Sequence, residues 1–261
     1  MNYRHGYHAG NFADVVKHIA LVAIVEYLKK KETGFSVIDT HAGRGSYDLS
    51  GEQSAKTGEA KTGIASLRSL MGEGPLATYL GLAGGKTYPG SPLIAAQLIR
   101  PQDRLTAIEK HPEEAALLRD VLAPFRNATA ESGDGYARLL KLLPPPSRRG
   151  LVVIDPPFEA ADEFEQLAQT LRAAVARFAT GVYLVWYPVK SDAAAKAFTG
   201  EVLASGDVTK ALTIDTRVTR AEGKLNRSGL LVINPPYGMA DTMRAAASVI
   251  APRLEAAIDI R

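Results

Sequence analysis

The chain of 261 residues reads as an α/β protein built on a largely parallel sheet. Three observations predict this. Short apolar, β-branched runs alternate with Ala/Leu-rich stretches of helical period, the rhythm of strand–helix–strand crossovers. The last two runs are joined by Arg217 to Arg227 without a convincing helix, which predicts an antiparallel end to the sheet. The acids Asp39 and Glu109, each closing a run, stand 70 positions apart, where a simple crossover needs only ~30 residues. An insertion must fill the difference.

Seven strands follow in order: 35–39 (FSVID), 104–109 (RLTAIE), 127–132 (NATAES), 150–154 (GLVVI), 181–187 (GVYLVWY), 209–215 (KALTIDT) and 229–233 (GLLVI). Helical patterns fall near 11–30, 91–100, 112–123, 135–143, 160–178, 191–203 and 238–256. The expected organisation is one domain, 1–261, carrying an inserted helical subdomain at 48–88 with a helix around Ala60 to Met71 and a turn at Gly84-Gly85. Pro144-Pro145-Pro146 makes a stiff entry to the fourth strand.

Composition narrows the class. A chain 46% hydrophobic and 23% charged is an ordinary soluble globular protein. Zero cysteines exclude disulfides, thiolate metal sites and cysteine nucleophiles, and suit a reducing cytoplasm. The apolar stretch His18 to Leu28 is too short to span a bilayer and contains Glu26. A net charge of +3 permits nucleic-acid binding without demonstrating it.

The chemistry sits at strand ends. Asp39-Thr40-His41-Ala42-Gly43-Arg44-Gly45 places glycines two apart in the first strand–helix turn, where a cofactor can approach the backbone. A nicotinamide site would want a third glycine at position 48, which is Asp48. The acid–x₃–Gly–x–Gly form instead resembles the methionine end of a methyltransferase pocket. Glu109 ends the second strand and Asp134-Gly135 follows the third, positions suited to ribose hydroxyls and an adenine amino group. Seven strands closing in an antiparallel pair resemble the Rossmann-like fold of class I S-adenosylmethionine (SAM)-dependent methyltransferases.

Asp155-Pro156-Pro157-Phe158 closes the fourth strand. An acid, two prolines and an aromatic there make a holder for a flat, amino-bearing ring. The Asp155 carboxylate and the Pro156 carbonyl would accept from the two N–H groups of an adenine amine and make its nitrogen more nucleophilic. Phe158 would stack on the base. Asn234-Pro235-Pro236-Tyr237 fits the same pattern, but the fourth strand is expected beside the first and the last strand near the far edge. Asp155 is therefore the expected catalytic residue, and Asn234 a strand-end turn.

The segment from Tyr3 to His18, YRHGYHAGNFADVVKH, carries three of the five histidines. Its Tyr3, Arg4, His5 and Lys17 are candidates to meet a base and phosphates; the bland alternative is a polar arm before an amphipathic helix. His5 and His8 are three apart, but no thiolate or carboxylate cluster completes a metal site, so no metal is expected. Arg44, Arg148, Arg149, Lys190 and Arg227 are candidates for a basic RNA-facing surface, although charges this scattered are usually solvated.

With IDTHAGRGSYDL, YPGSPLIA, SRRGLVVIDPPFE, VWYPV and LLVINPPY, this segment resembles the bacterial ribosomal RNA large-subunit adenine-N6 methyltransferase J family over residues 3 to 237. The resemblance implies an enzyme that uses S-adenosylmethionine, releases S-adenosylhomocysteine and modifies an adenine of 23S ribosomal RNA; a cytoplasmic monomer is expected. It implies that His18, His41, Ser91, Glu109, Asp134, Gly135 and Asp155 line the donor pocket and that Tyr3 meets the RNA. Phe158 departs from the family's more usual tyrosine, so stacking survives and any hydroxyl contact does not. Three other readings compete: a DNA adenine-N6 methyltransferase, a protein-glutamine methyltransferase, and a non-catalytic RNA-binding protein on the same fold. The first lacks an obvious sequence-reading module here, the second predicts peptide substrates, and the third has no use for intact acids at the strand ends.

Overall fold

The computed structural model describes residues 8–50, 58–204, 206–219 and 225–261. Tyr3, Arg4 and His5 lie outside them. The main sheet joins β1 (Ser36–Asp39), β4 (Arg104–Glu109), β5 (Ala128–Ser132), β6 (Gly150–Ile154), β7 (Val182–Pro188), β8 (Ala211–Val218), β9 (Arg227–Ile233) and β10 (Ala256–Ile260). Their order is β10-β8-β9-β7-β6-β1-β4-β5. A separate two-stranded ribbon pairs β2 (Ser46–Asp48) with β3 (Thr87–Pro89). β5, β4, β1, β6 and β7 run parallel. β9 is antiparallel to both β7 and β8, and β10 to β8.

The strand order reverses between β1 and β6, so the connections leaving those two strands part to opposite sides. A crevice must open there, at the carboxyl ends of the strands. Because β9 runs the other way, its own carboxyl end lies at the opposite end of the sheet. Ile233, its last residue, is in register with Tyr183 near the start of β7.

Period-two alternation divides the core. Val37 and Val153 face one apolar layer, while Ile38 and Val152 face the other. The first layer is covered by α1 (Phe12–Lys29), α3 (Gly74–Ala83), α4 (Ser91–Leu98), α5 (Pro112–Leu122) and α9 (Met239–Leu254). The second is covered by α6 (Gly135–Leu142), α7 (Glu163–Arg177) and α8 (Asp192–Leu203). Each fully buried Leu, Ile or Val contributes about 1.5–3 kcal/mol. α1 is buried on nearly every side from Phe12 to Val25, including Asp14, Lys17 and His18. Only a helix inside the molecule can be apolar all round, and its three polar residues then need partners. Asn11 caps it, the side-chain oxygen accepting from the Asp14 N–H at 2.9 Å.

The elements depart from the sequence reading in several places, the β2–β3 ribbon among them. The helix expected at 60–71 is broken into α2 (Glu59–Thr62) and a 3₁₀ turn, Ile64–Leu67. Gly63 lies between them, and a Cβ there would overlap the Gly10 carbonyl. α3 in the same segment was not foreseen. The last helix stops at Leu254 because Glu255 turns left-handed (φ 50°), which frees 256–260 to form an eighth strand where seven were expected.

Candidate active site

A cleft of about 200 Å³ opens where β1, β4, β5 and β6 end. It is lined by His18, His41, Gly43, Ser91, Glu109, Asp134, Gly135 and Asp155 together with Lys17, so the sequence candidates from six separate stretches of chain meet in one place.

The glycines and acids define the part near β1, β4 and β5. Gly43 is left-handed (φ 62°), and a Cβ on it would overlap the Tyr47 hydroxyl. Its N–H donates to Glu109 Oε2 at 2.8 Å, while the His111 N–H donates to Oε1 at 2.7 Å. Both Glu109 oxygens are thereby fixed by backbone. Gly135 begins α6 so close to β1 that a Cβ would overlap the Thr40 carbonyl. Asp134 caps α6 through the Ala137 N–H and accepts from Lys110 Nζ at 2.9 Å. Burial would raise this carboxyl, but Lys110 and the Ala137 N–H outweigh it and hold it below its ordinary value.

His41 sits at the first turn. Burial pushes its imidazole down to about 4, so the ring is neutral at physiological pH. Its Nδ1 lies 2.8 Å from Thr40 Oγ1, and Tyr136 meets it edge-on at 4.9 Å. His18 is held by Tyr88, whose hydroxyl lies 2.8 Å from Nδ1.

Asp39 is 1% exposed, and neither carboxylate oxygen makes a well-formed hydrogen bond among the described residues. Burial pushes it up to about 6; Ser91 and Lys17 lean against that rise and Asp155 adds to it. A pKa raised by folding means stability is lost as pH climbs from the unfolded value, near 4, through about 6. Asp39→Asn is expected to remove that cost and add about 2–3 kcal/mol at pH 7.5 but little at pH 4. Urea unfolding at both pH values checks this, and a gain independent of pH would rule Asp39 out as its source.

At the end of β6, Lys17 is 5% exposed on its side chain and lies between two carboxylates. It donates to Asp14 Oδ1 at 2.8 Å and to Asp155 Oδ2. Burial works to lower its pKa, but Asp14 and Asp155 together raise it well above the ordinary lysine value. The sequence reading set Lys17 against RNA phosphates; the structure makes it part of the cleft wall, already paired.

The rest of the Asp-Pro-Pro-Phe turn is less simple. Pro157 lines the cleft, whereas Pro156 is buried behind it. Phe158 turns left-handed (φ 50°), an uncommon state for an aromatic residue. Its ring packs on Phe164 at 4.8 Å and Trp186 at 5.9 Å and is not among the lining residues. The rival Asn234 lies outside the cleft. Its side-chain amide donates to the carbonyls of Ala179 and Gly181, tying down the loop before β7 at the other end of the sheet.

Three of the five scattered cations are also engaged. Arg44 forks onto Glu114 at 2.7 and 2.6 Å, Arg149 donates to the Leu28 and Thr33 carbonyls, and Arg227 joins Asp215 and Asp192. Several lining residues went unread in the sequence, Tyr136 and Glu163 among them. Tyr136 donates to Glu163 Oε1 at 2.7 Å, with Tyr136 next to Asp134-Gly135 and Glu163 opening α7. Adjacency to the third acid was the available signal for Tyr136; Glu163 had none.

This strand order, with acids at successive strand ends around a switch-point cleft, defines a protein with the class I SAM-dependent methyltransferase fold. The chain belongs to the family described as ribosomal RNA large subunit methyltransferase D, RlmJ, whose model matches residues 32–259. A Haemophilus influenzae protein named ribosomal RNA large subunit methyltransferase J is 41% identical over 256 residues, covering 94% of this chain and 90% of that one. Its Escherichia coli namesake is 39% identical over 255 residues, covering 93% and 90%. A crystal structure of a Legionella pneumophila protein superposes with a TM-score of 0.89 at 31% identity, covering 97% of this chain and 98% of that one.

Proposed function

We propose that the protein transfers a methyl group from S-adenosylmethionine to N6 of an adenine in 23S ribosomal RNA, as a cytoplasmic enzyme. The observation that carries this reading is the Asp155 carboxylate, fixed by Lys17 where β6 adjoins β1, in the same cleft as Glu109 and Asp134.

The residues present fit the donor. Gly43 and Gly135 can carry no side chain because the Tyr47 hydroxyl and the Thr40 carbonyl fill the space, which holds the glycine turn and the start of α6 tight along the cleft. Asp39 is a buried carboxylate without a well-formed hydrogen bond, suited to the methionine ammonium end. Glu109, fixed through both oxygens, suits a ribose diol, and Asp134 an adenine amine. His18, His41 and Ser91 complete the wall. When bound, the donor supplies an electrophilic methyl group.

The protein's own part is alignment. An adenine leaving its stack costs roughly a few kcal/mol. Asp155 accepts from the exocyclic amine, draws its lone pair out of the ring and points it into the cleft. Lys17 holds that carboxylate in place, its ammonium anchored in turn by Asp14. As the new bond forms the amine becomes strongly acidic, so Asp155 or water takes the surplus proton and no potent base is required. The neutral His41 offers no competing positive charge.

The test uses radiolabelled S-adenosylmethionine with RNA from cells lacking this gene, beside duplex DNA and ribosomal proteins. Labelled N6-methyladenosine in large-subunit RNA is expected. Label in DNA or protein would keep the chemistry and overturn the substrate; no label, with donor bound, would favour a binding protein.

A further inference from the structure

Glu59, at the start of α2 in the segment between β2 and β3, is a buried carboxylate the mechanism has not used. Its Oε2 accepts from Asn11 Nδ2 at 3.1 Å and lies 3.2 Å from His8 Nδ1. From Asn11 a continuous hydrogen-bonded chain runs into the cleft. Asn11 Oδ1 accepts from the Asp14 N–H at 2.9 Å. Asp14 Oδ2 accepts from the Gly10 N–H at 2.9 Å, and its Oδ1 accepts from Lys17 Nζ at 2.8 Å. Lys17 then donates to Asp155. A second tie runs in parallel, the Ile64 N–H donating to the Gly10 carbonyl at 2.8 Å.

We infer that Glu59 is a positioning residue for the Asp155 carboxylate, acting through Asn11, Asp14 and Lys17. This rests on the role given to Asp155 above. The physical reason is the asymmetry of the asparagine amide, which has donors at one end and acceptors at the other. With Nδ2 committed to Glu59, Oδ1 can only face the first turn of α1, where it caps the Asp14 N–H. That cap fixes the turn bearing Asp14, and Asp14 with Asp155 fixes the Lys17 ammonium. Without Glu59 the amide can rotate, the turn loosens, and the carboxylate loses its fixed bearing. The inserted segment thus contributes to the chemistry through one side chain, although it supplies none of the acids at the strand ends.

Three variants test this: Glu59→Ala, Glu59→Gln and Asn11→Ser. Serine can cap the helix but has no amide donor for Glu59 to hold, so its cap oxygen is not fixed in one bearing. Glu59→Ala and Asn11→Ser are expected to lower kcat about 10- to 100-fold, the scale of a misplaced reacting group, with KM for donor and RNA changed less than about threefold. Glu59→Gln retains an oxygen for Asn11 and should restore most of kcat. The double variant Glu59→Ala/Asn11→Ser should be no worse than either alone, since both break the same link. Wild-type kcat in a folded Asn11→Ser protein, a loss confined to KM, or additive losses would overturn the inference, and Asn11→Ser decides it should Glu59→Ala fail to fold. If Asp155→Ala kept full activity, the reading of Asp155 would fail first; an inactive Asp155→Ala beside a normal Asn11→Ser would remove only the role of Glu59.

Discussion

Asp155→Ala is expected to lower turnover by about 10³-fold or more while the protein still folds and binds donor. An acceptor aimed at a developing charge is worth about 10²–10³ in rate, and loss of the alignment it enforces adds to that. Folding should survive because Lys17 keeps Asp14 as a partner at 2.8 Å. Asp155→Asn is the sharper comparison. It keeps the shape of the side chain and one acceptor oxygen but loses the charge, so activity between that of Ala and wild type would assign part of the effect to charge. Asn234→Ala supplies the contrast: two hydrogen bonds to Ala179 and Gly181 are lost, at about 1–2 kcal/mol of stability, with turnover within threefold. Single-turnover methylation and isothermal titration with the donor separate these outcomes. Inactive Asn234→Ala beside active Asp155→Ala would reverse the assignment.

Why the two Pro-Pro motifs differ was only half legible in the sequence. Adjacency was readable, since β6 does pair with β1. The stronger reason is direction: β9 runs antiparallel to β7, so Asn234 emerges at the end of the sheet away from the cleft. Patterns of apolar residues report strands but not their sense. The same limit explains β10. Helices that end left-handed usually do so on glycine, and Glu255 gives no such sign. The break at Gly63 was hidden because its cause is the Gly10 carbonyl, distant in sequence.

The acids at the strand ends were legible because each follows its strand directly and the fold brings those ends together. Lys17 was not. In sequence it is a lysine three positions after Asp14 on a helix, a pattern that normally marks a solvated face. Its partner Asp155 lies 138 positions away, and only packing α1 inside the molecule turns the lysine inward. Phe158 is a different case: with a left-handed backbone its ring packs on Phe164 and Trp186, and residue type alone cannot report that.

Lys17→Met should cost about 3–5 kcal/mol of stability at neutral pH, the range for removing one partner from a buried ion pair, and should abolish measurable turnover. Methionine fills much of the same volume, so the loss is electrostatic and leaves little cavity. Lys17 is the shared cation of Asp14 and Asp155 and also tempers the buried Asp39. Its removal leaves the buried Asp14 and Asp39, and Asp155 in the cleft wall, without their nearby cation. The pH dependence identifies the cause. Lys17's own pKa is raised by folding, so its stabilisation is complete below the unfolded lysine value and constant across the neutral range. Any change in the deficit between pH 5 and 8 must therefore come from the carboxylates it leaves behind. Protonation relieves their repulsion, so the deficit should shrink toward pH 5 and widen toward pH 8. Urea unfolding of both proteins across that range measures it. A deficit that stayed flat would mean that the carboxylates left behind do not carry it, and the ion-pair account of the Asp155 site would have to be abandoned.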